Sequence, residues 1–290
     1  MPSHIDHVII AAPDLNLLED AFTRLGFSVS GGGTHPHLGT RNRIIVLGDG
    51  YIELLAVADT VNASPVLRER IAHGAGWVGY ALQSDDITRE TQIMRERGVD
   101  ARGPIRGRLV SPDGATRSWQ VVTLGSDDLW EAAYPLPFLI QHDSAGEQHQ
   151  RELAGADGIR PHSNGAHRLV GVELLTTTFA SLREQYDRAF ALPIAPRQPD
   201  DADTARKESI TYQIGASREW IRLVQPANAV PEVSLTTGAA SVMAALVGVA
   251  DLQAVERAVW NAGFAATTHG AALRVTIPGV NADVGFTERT

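Results

Sequence analysis

Cysteine is absent from all 290 residues, which excludes disulfides, thiolate metal sites and a cysteine nucleophile. Any metal must therefore be held by nitrogen and oxygen. No run of about 18 apolar residues occurs, and the opening MPSHIDHVII has no basic region leading into an apolar stretch and a small-residue cleavage site. A cytoplasmic protein without a membrane partner is expected. A basic stripe is also missing: the formal charge is -9 with both signs interspersed, which argues against nucleic acid as a partner. There is no G-x-S-x-G elbow, P-loop or dinucleotide fingerprint, and the glycines Gly31–Gly33 precede a polar loop rather than a helix. No phosphate or nicotinamide cofactor is implied.

What the chain does contain is ordinary globular material, 43% apolar and 20% charged, in a length that allows two domains of roughly 100 to 150 residues. One pattern recurs along it. A β-rich run IDHVIIAA leads to Asp14, then to the apolar-periodic LNLLEDAFTRL and Gly26-Phe27: strand, helix cap, helix, glycine stop and new strand. The same order returns around Asp86 and Gly98 and around Asp251 and Gly263, with a step of twelve residues from cap to glycine in all three. In a fourth copy Thr178 takes the cap position and Phe190 stands where the glycine would be. Strand-like runs follow each helix, most clearly RIIVLGDGYIELLAV, two β runs joined through Gly48-Asp49-Gly50. The unit is thus βαβββ, present four times, with helices expected at 14–25, 86–97, 179–190 and 251–262. The stretch 144–166, polar and Gly-rich, reads as a linker between a first pair of modules in residues 1–143 and a second in 167–290. One four-stranded sheet with one helix leaves a face uncovered, so two units side by side make a cup.

The segments HVIIAAPDL, LGF, HPHLGTRN, GDGYIELL, LPFLIQHD and HSNGA together resemble the glyoxalase-like branch of the vicinal oxygen chelate superfamily. That resemblance implies an α+β fold in which paired βαβββ modules form two glyoxalase/bleomycin-resistance/dioxygenase-like domains. It further implies a divalent metal on the cup floor (Zn, Ni, Mn or Fe), held from the first and fourth strands of each module.

His7 and Glu53 stand out as polar residues set into apolar strands. Strict alternation places His7 with Ile5 and Ile9 on one face and Asp6 with Val8 and Ile10 on the other. The corresponding positions of the other modules are Gly79, Gly171 and Ala244, so the fold itself does not require a histidine there. A core histidine bonded to backbone is the plainer alternative. Glu53 lies within YIELLAV, where a buried carboxylate needs a partner, either a metal or an arginine such as Arg41 or Arg43. Its counterparts are Arg222 and Gly285, so the second pair is expected to be degenerate, with Arg222 on a carboxylate or an anion. For a third ligand, register favours Gln141, whereas metal chemistry favours His142. His35, in HPHLGT, is a candidate proton carrier ahead of His37, while His149, His162 and His167 read as surface residues. HSNGA is a segment that can fold back over the first cup.

Two kinds of function follow. The first is a metal-dependent isomerase or lyase acting on a small oxygenated metabolite, with His35 or Glu53 moving a proton. It is preferred to a ring-cleaving dioxygenase because no second histidine is visible at Gly79. The second is a binding or resistance protein that uses the same cup, as monomer or homodimer, without turnover.

Overall fold

A computed structural model describes residues 2–74, 76–132, 136–196, 206–216, 219–227, 240–280 and 282–288. Among them are fifteen strands in two sheets and seven α-helices. The first module runs β1 (Ile5–Ala11), α1 (Leu15–Arg24), β2 (Ser30–His35), β3 (Thr40–Leu47), β4 (Gly50–Val57). The second runs β5 (Gly76–Gln83), α3 (Ile87–Glu96), β6 (Ala101–Val110), β7 (Thr116–Leu124), β8 (Phe138–His142). Two further helices are inserted in this half, α2 (Pro65–Ala72) and α4 (Leu129–Ala132). Its eight strands close into a barrel in the order β1-β4-β3-β2-β6-β7-β8-β5. The hairpin through Gly48-Asp49 sets the register of β3 on β4, and β1 pairs with β5 antiparallel where the modules meet.

After α5 (Gly146–Ala154) come β9 (Ala166–Thr176), α6 (Phe179–Phe190), β10 (Arg206–Ile214) and β11 (Glu219–Pro226). The last module is β12 (Ala240–Val249), α7 (Leu252–Asn261), β13 (Ala266–His269), β14 (Ala272–Thr276) and β15 (Asp283–Thr287). These strands form one open sheet, β10-β11-β9-β12-β15-β14-β13. In the third module a single bridge from Ile194 to Tyr212 precedes β10 where the other modules have a strand.

All four repeat helices form, and the capping explains their limits. Asp14, Asp86 and Asp251 accept hydrogen bonds from backbone N–H groups of the first turn, whereas Thr178 makes no side-chain cap bond. Gly26, Gly98 and Gly263 take the left-handed conformation that ends the helix, at φ of 87°, 75° and 75°. Where the fourth copy lacks that glycine, Ala191 is forced to φ 46°, the one positive-φ residue other than glycine among those described. Ala191→Gly is expected to stabilise the protein by about 1 kcal/mol in denaturant titration, because a Cβ is strained there and absent from glycine.

Two apolar layers result. The interior of the barrel holds Ile9, Ala11, Leu55, Phe138 and Ile140. The outer face, with Val8, Ile10 and the buried stripe Leu15, Leu18, Ala21 and Phe22 of α1, merges into one core with Phe179, Tyr186, Val255 and Phe286 of the second half. Each Val, Leu, Ile or Phe side chain among them contributes roughly 1.5–3 kcal/mol on burial. The halves are also stitched by polar contacts: Trp77 Nε1 donates to the Asp283 carbonyl at 3.0 Å, Arg24 to that of Ala262 at 2.8 Å, and the Tyr80 and Tyr186 hydroxyls meet.

Glu219 of the second sheet accepts the Ile5 amide of β1. Burial pushes its carboxyl up to about 8 from the usual 4.5, against the opposing pull of that hydrogen bond. The native state therefore keeps a proton that the unfolded chain has released. Stability is complete below pH 4.5 and falls as pH rises toward about 8, by up to roughly 1.4 kcal/mol per pH unit. Thermal midpoints of the parent should drop relative to Glu219→Gln across that window; parallel curves would show that the carboxyl is not held neutral.

The stretch 144–166 departs from the expected linker. It contains α5, whose buried face is His149, Leu153 and Ala154; Leu153 packs on Ile44 and Tyr51 of the barrel. Only a narrow face of this helix is apolar, so hydrophobic periodicity passes over it. HSNGA does not cover the cup: the Asn164 side chain donates to the Leu25 carbonyl at 2.8 Å, closing the end of α1. His162 is a tie rather than a surface residue, accepting the Ser28 amide at 2.9 Å and donating to the Val46 carbonyl at 2.8 Å. His167 is exposed, as expected.

Candidate functional site

β1 does not alternate strictly. A bulge between Ile5 and His7 in its pairing with β5 shifts the phase, so Asp6 and His7 both turn inward while Val8 returns to the outer core. Asp6 is 1% exposed and His7 3%. Placing Asp6 on the outer face is thus corrected, and the reason is the inserted residue. Asp6 Oδ1 accepts from His7 Nδ1 at 2.5 Å, and the carboxylate also accepts from His142 Nε2 at 3.1 and 3.2 Å. The Tyr51 hydroxyl bonds to it as well. Burial alone would raise the Asp6 pKa, but the charge and hydrogen bond of His142, together with those of His7, hold it well below the usual carboxylate range. It is an anion.

With Nδ1 bound to Asp6, His7 presents Nε2 to the cavity, where Glu53 Oε2 lies at 3.8 Å. Its ring stacks on Tyr51 at 4.6 Å, which fixes its plane. Glu53 is opposite Ile9 on β1 and opposite Ile44 on β3. Its partner is not an arginine: Arg43 pairs with Glu19 at 3.1 Å. Instead Asn42 Nδ2 donates to Glu53 Oε1 at 2.5 Å, and Asn42 Oδ1 is occupied by the Gly33 amide at 2.9 Å, so the amide is locked in the donating orientation. Gly32 permits this approach, since a Cβ there would lie 2.1 Å from the Asn42 carbonyl oxygen.

His35, the last residue of β2, reaches the same carboxylate, with Nε2 3.8 Å from Glu53 Oε1 and Nδ1 bonded to Thr40 Oγ1 at 2.9 Å. Burial lowers its pKa, only partly offset by Glu53, so the ring is neutral near neutral pH. Two imidazole Nε2 atoms therefore approach the two oxygens of one glutamate, each ring anchored through its other nitrogen to an oxygen. Such anchoring orients and tautomerises metal-binding histidines in general.

The fourth strand of the second module separates its two candidates. Gln141 faces away from the cavity: its Oε1 accepts the Ile87 amide at the start of α3 at 2.9 Å, and its Nε2 donates to the Asp85 carbonyl at 3.2 Å. The register argument for Gln141 fails because the unpaired amides of a helix N-terminus claim its side chain. His142 lines the cavity. His149, expected at the surface, is buried on α5 with its ring centroid 4.0 Å from that of His142. Burial and the neighbouring His142 pull its pKa down to about 4. Asp6, His142 and His149 together place ligand-type atoms within 4.8 Å of one another.

His7, His35, Glu53 and His142 line a cavity of about 50 Å³ whose walls include Ile9, Leu38, Leu109, Trp119, Trp130 and Phe138. It adjoins an outer chamber of about 360 Å³ that shares Leu38, Trp119, Val121, Leu129 and Trp130 and carries His37 on its rim. The hairpin β6–β7 and α4, in a stretch whose conformation the sequence does not reveal, build this chamber.

The second sheet has no comparable constellation among the described residues. Opposite Gly171 on the paired strand stands Trp220, against whose ring a Cβ on Gly171 would sit at 2.4 Å, so indole fills the space that His7 occupies in the barrel. Arg222, the counterpart of Glu53, bonds Glu173 Oε1 at 3.3 Å, and Arg274 pairs with the same carboxylate.

Among the described residues no helix is long and apolar enough to cross a membrane. No curated protein matches the chain. The structure is similar to a hypothetical protein from Staphylococcus aureus (TM-score 0.68, 15% identity, 98% of each chain covered). It is also similar to a triple mutant of 4-hydroxymandelate synthase from Streptomyces coelicolor (TM-score 0.63, 16% identity, 98% of this chain and 92% of that one). A third neighbour is a xylose isomerase-like TIM barrel/4-hydroxyphenylpyruvate dioxygenase fusion protein (TM-score 0.59, 11% identity, 99% of this chain and 49% of that one). At these identities the likeness is one of fold. A family model described as a glyoxalase-like domain matches residues 5–190, most of the chain, and together with the paired modules this makes the protein a member of the glyoxalase-like family within the vicinal oxygen chelate superfamily.

Proposed function

We propose that the barrel of residues 1–143 is the active half of a metal-dependent enzyme acting on a small oxygenated molecule, with His7, His35 and Glu53 as the ligands. The observation that carries this reading is the convergence of His7 Nε2 and His35 Nε2 on the two oxygens of Glu53, at 3.8 Å each. The donor set fits a divalent ion: two imidazoles and one carboxylate, each held from behind by Asp6, Thr40 or Asn42. The alternative group, Asp6 with His142 and His149, is less suited. Asp6 lies beneath the cavity floor with its oxygens already taken by His7 and His142, and an ion there would have to break those bonds.

A divalent ion between His7, His35 and Glu53 would supply Lewis acidity toward two neighbouring oxygens of a substrate. His142 lines the cavity and Asp6 holds its ring through Nε2, so it is the residue placed to move a proton. The apolar walls exclude water and receive the rest of the molecule. A positioned base beside a Lewis acid favours isomerase or lyase chemistry. A dioxygenase-like reaction is the second reading, supported by the two-histidine, one-carboxylate set that appears once His35 is included.

The test is metal uptake by the protein purified without chelator, with melting curves of stripped protein in Fe, Mn, Ni and Zn. About one ion per chain and a raised midpoint are expected. No ion bound and no shift with any of them would sink the enzyme reading and leave a sequestering cup. Oxygen uptake by the iron-loaded form with candidate substrates separates the two chemistries.

A further inference from the structure

Arg117 is a charged group of the cavity that the proposed function does not use. It lies on β7, opposite Leu109 of the neighbouring strand, and lines the inner chamber together with Tyr51, Glu53 and Trp119. Its Nε is buried without a hydrogen-bond partner, and among the described residues the guanidinium makes neither a hydrogen bond nor an ion pair within 4 Å. The three nearby carboxylates are engaged elsewhere, Glu53 by Asn42, Asp6 by His7 and His142, and Glu152 by Ser144 and Gln148. A guanidinium cannot shed its proton to escape such a place, and its planar fork of donors matches a carboxylate better than any other common group. Burial lowers its pKa, partly offset by Tyr51, Glu53, Glu152 and Asp6, and a guanidinium so placed keeps its charge.

Charge in the occupied cavity points the same way. A divalent ion would be balanced by Glu53 and Asp6, which leaves Arg117 as the surplus charge in the cavity wall, since Glu152, the further carboxylate that acts on it, does not line the cavity. From this geometry we infer that the cup takes an organic anion: Arg117 receives a carboxylate, and an apolar body rests against Trp119, Trp130 and Phe138. The inference rests on the reading of the barrel as the ligand site, not on the metal. Arg117 is a specificity-determining residue, selecting anionic over neutral compounds of the same shape.

Benzoate and its neutral isostere benzamide serve as probes, titrated calorimetrically into metal-stripped and metal-loaded protein. The parent should bind benzoate roughly tenfold or more tightly than benzamide, the scale expected of a charge-assisted contact with little water present. Arg117→Gln should abolish that preference while taking up metal and melting like the parent, and Arg117→Lys should retain part of it. If Arg117→Gln does not fold, the parent still decides: its preference for benzoate should be present at low salt and shrink as salt rises. Equal binding of the two probes, binding of neither at millimolar concentration, or a preference unchanged in Arg117→Gln would overturn the inference. Failure of the metal reading looks different: no ion is taken up, yet the charge preference in stripped protein persists.

Discussion

Removing the imidazole in His7→Ala should weaken divalent metal binding by about a hundredfold or more, and Glu53→Gln should do the same. In the proposed site the two residues contribute neighbouring donors, His7 Nε2 and Glu53 Oε2 at 3.8 Å. Asp6→Asn tests the support beneath them. Its loss frees His7 Nδ1 to rotate or change tautomer, and a drop of about 10–100-fold in affinity is expected although Asp6 does not itself touch the ion. His149→Ala is the discriminating control. It belongs to the other donor group, with Asp6 and His142, and does not line the cavity, so it should leave affinity unchanged. Equilibrium competition against a chromophoric chelator gives these affinities. If His149→Ala loses the metal and His35→Ala keeps it, the ion belongs between Asp6, His142 and His149 and the assignment made above is wrong.

The second large effect concerns the half without that site. Glu173→Ala should destabilise the protein by about 3–5 kcal/mol, because it removes the carboxylate shared by Arg222 and Arg274. All three side chains are largely shut off from water, at 2% exposure for Glu173, 11% for Arg222 and 6% for Arg274. The two guanidiniums would lose the carboxylate they share while staying largely desolvated, with Asp283 still acting on Arg274 and Thr211 still bonded to Arg222. Replacing the three together by apolar residues of similar volume should recover most of the loss, since a buried ion group is costly to break yet adds little over good packing. Guanidinium chloride titration measures both. A Glu173→Ala midpoint equal to that of the parent would mean that water already reaches these charges. The trio also explains why the second sheet is ill suited to a cation: its Glu53 position is a guanidinium, held in place by Glu173 from β9.

How the sequence relates to this molecule is clearest residue by residue. The repeat was legible because its signals are local. An aspartate cap, an apolar stripe at helical spacing and a glycine stop act within one turn of chain, and three copies of that spacing repeat without variation. His7 and Glu53 were legible by contrast, as polar residues in strands whose other copies carry glycine, alanine, glutamine or arginine at the same positions. The pairing of Arg222 with a carboxylate followed from the cost of burying a guanidinium.

Asp6, Arg117 and His149 were not legible, each for a physical reason. Strand alternation is a rule for regular pairing, and one bulge against β5 reverses it for Asp6. Arg117 lies in a hairpin whose path is set by closure of the barrel around Leu109 and Trp119, with no marker in the neighbouring residues. His149 sits on a helix with few apolar residues, which forms because the barrel offers a surface for Leu153. The local code thus determined the modules, their number and the two residues most out of place in them. Only the tertiary structure decided which polar groups meet, because barrel closure brings together side chains from β1, β2, β4, β7 and β8 whose separation along the chain carries no trace of their contact in space.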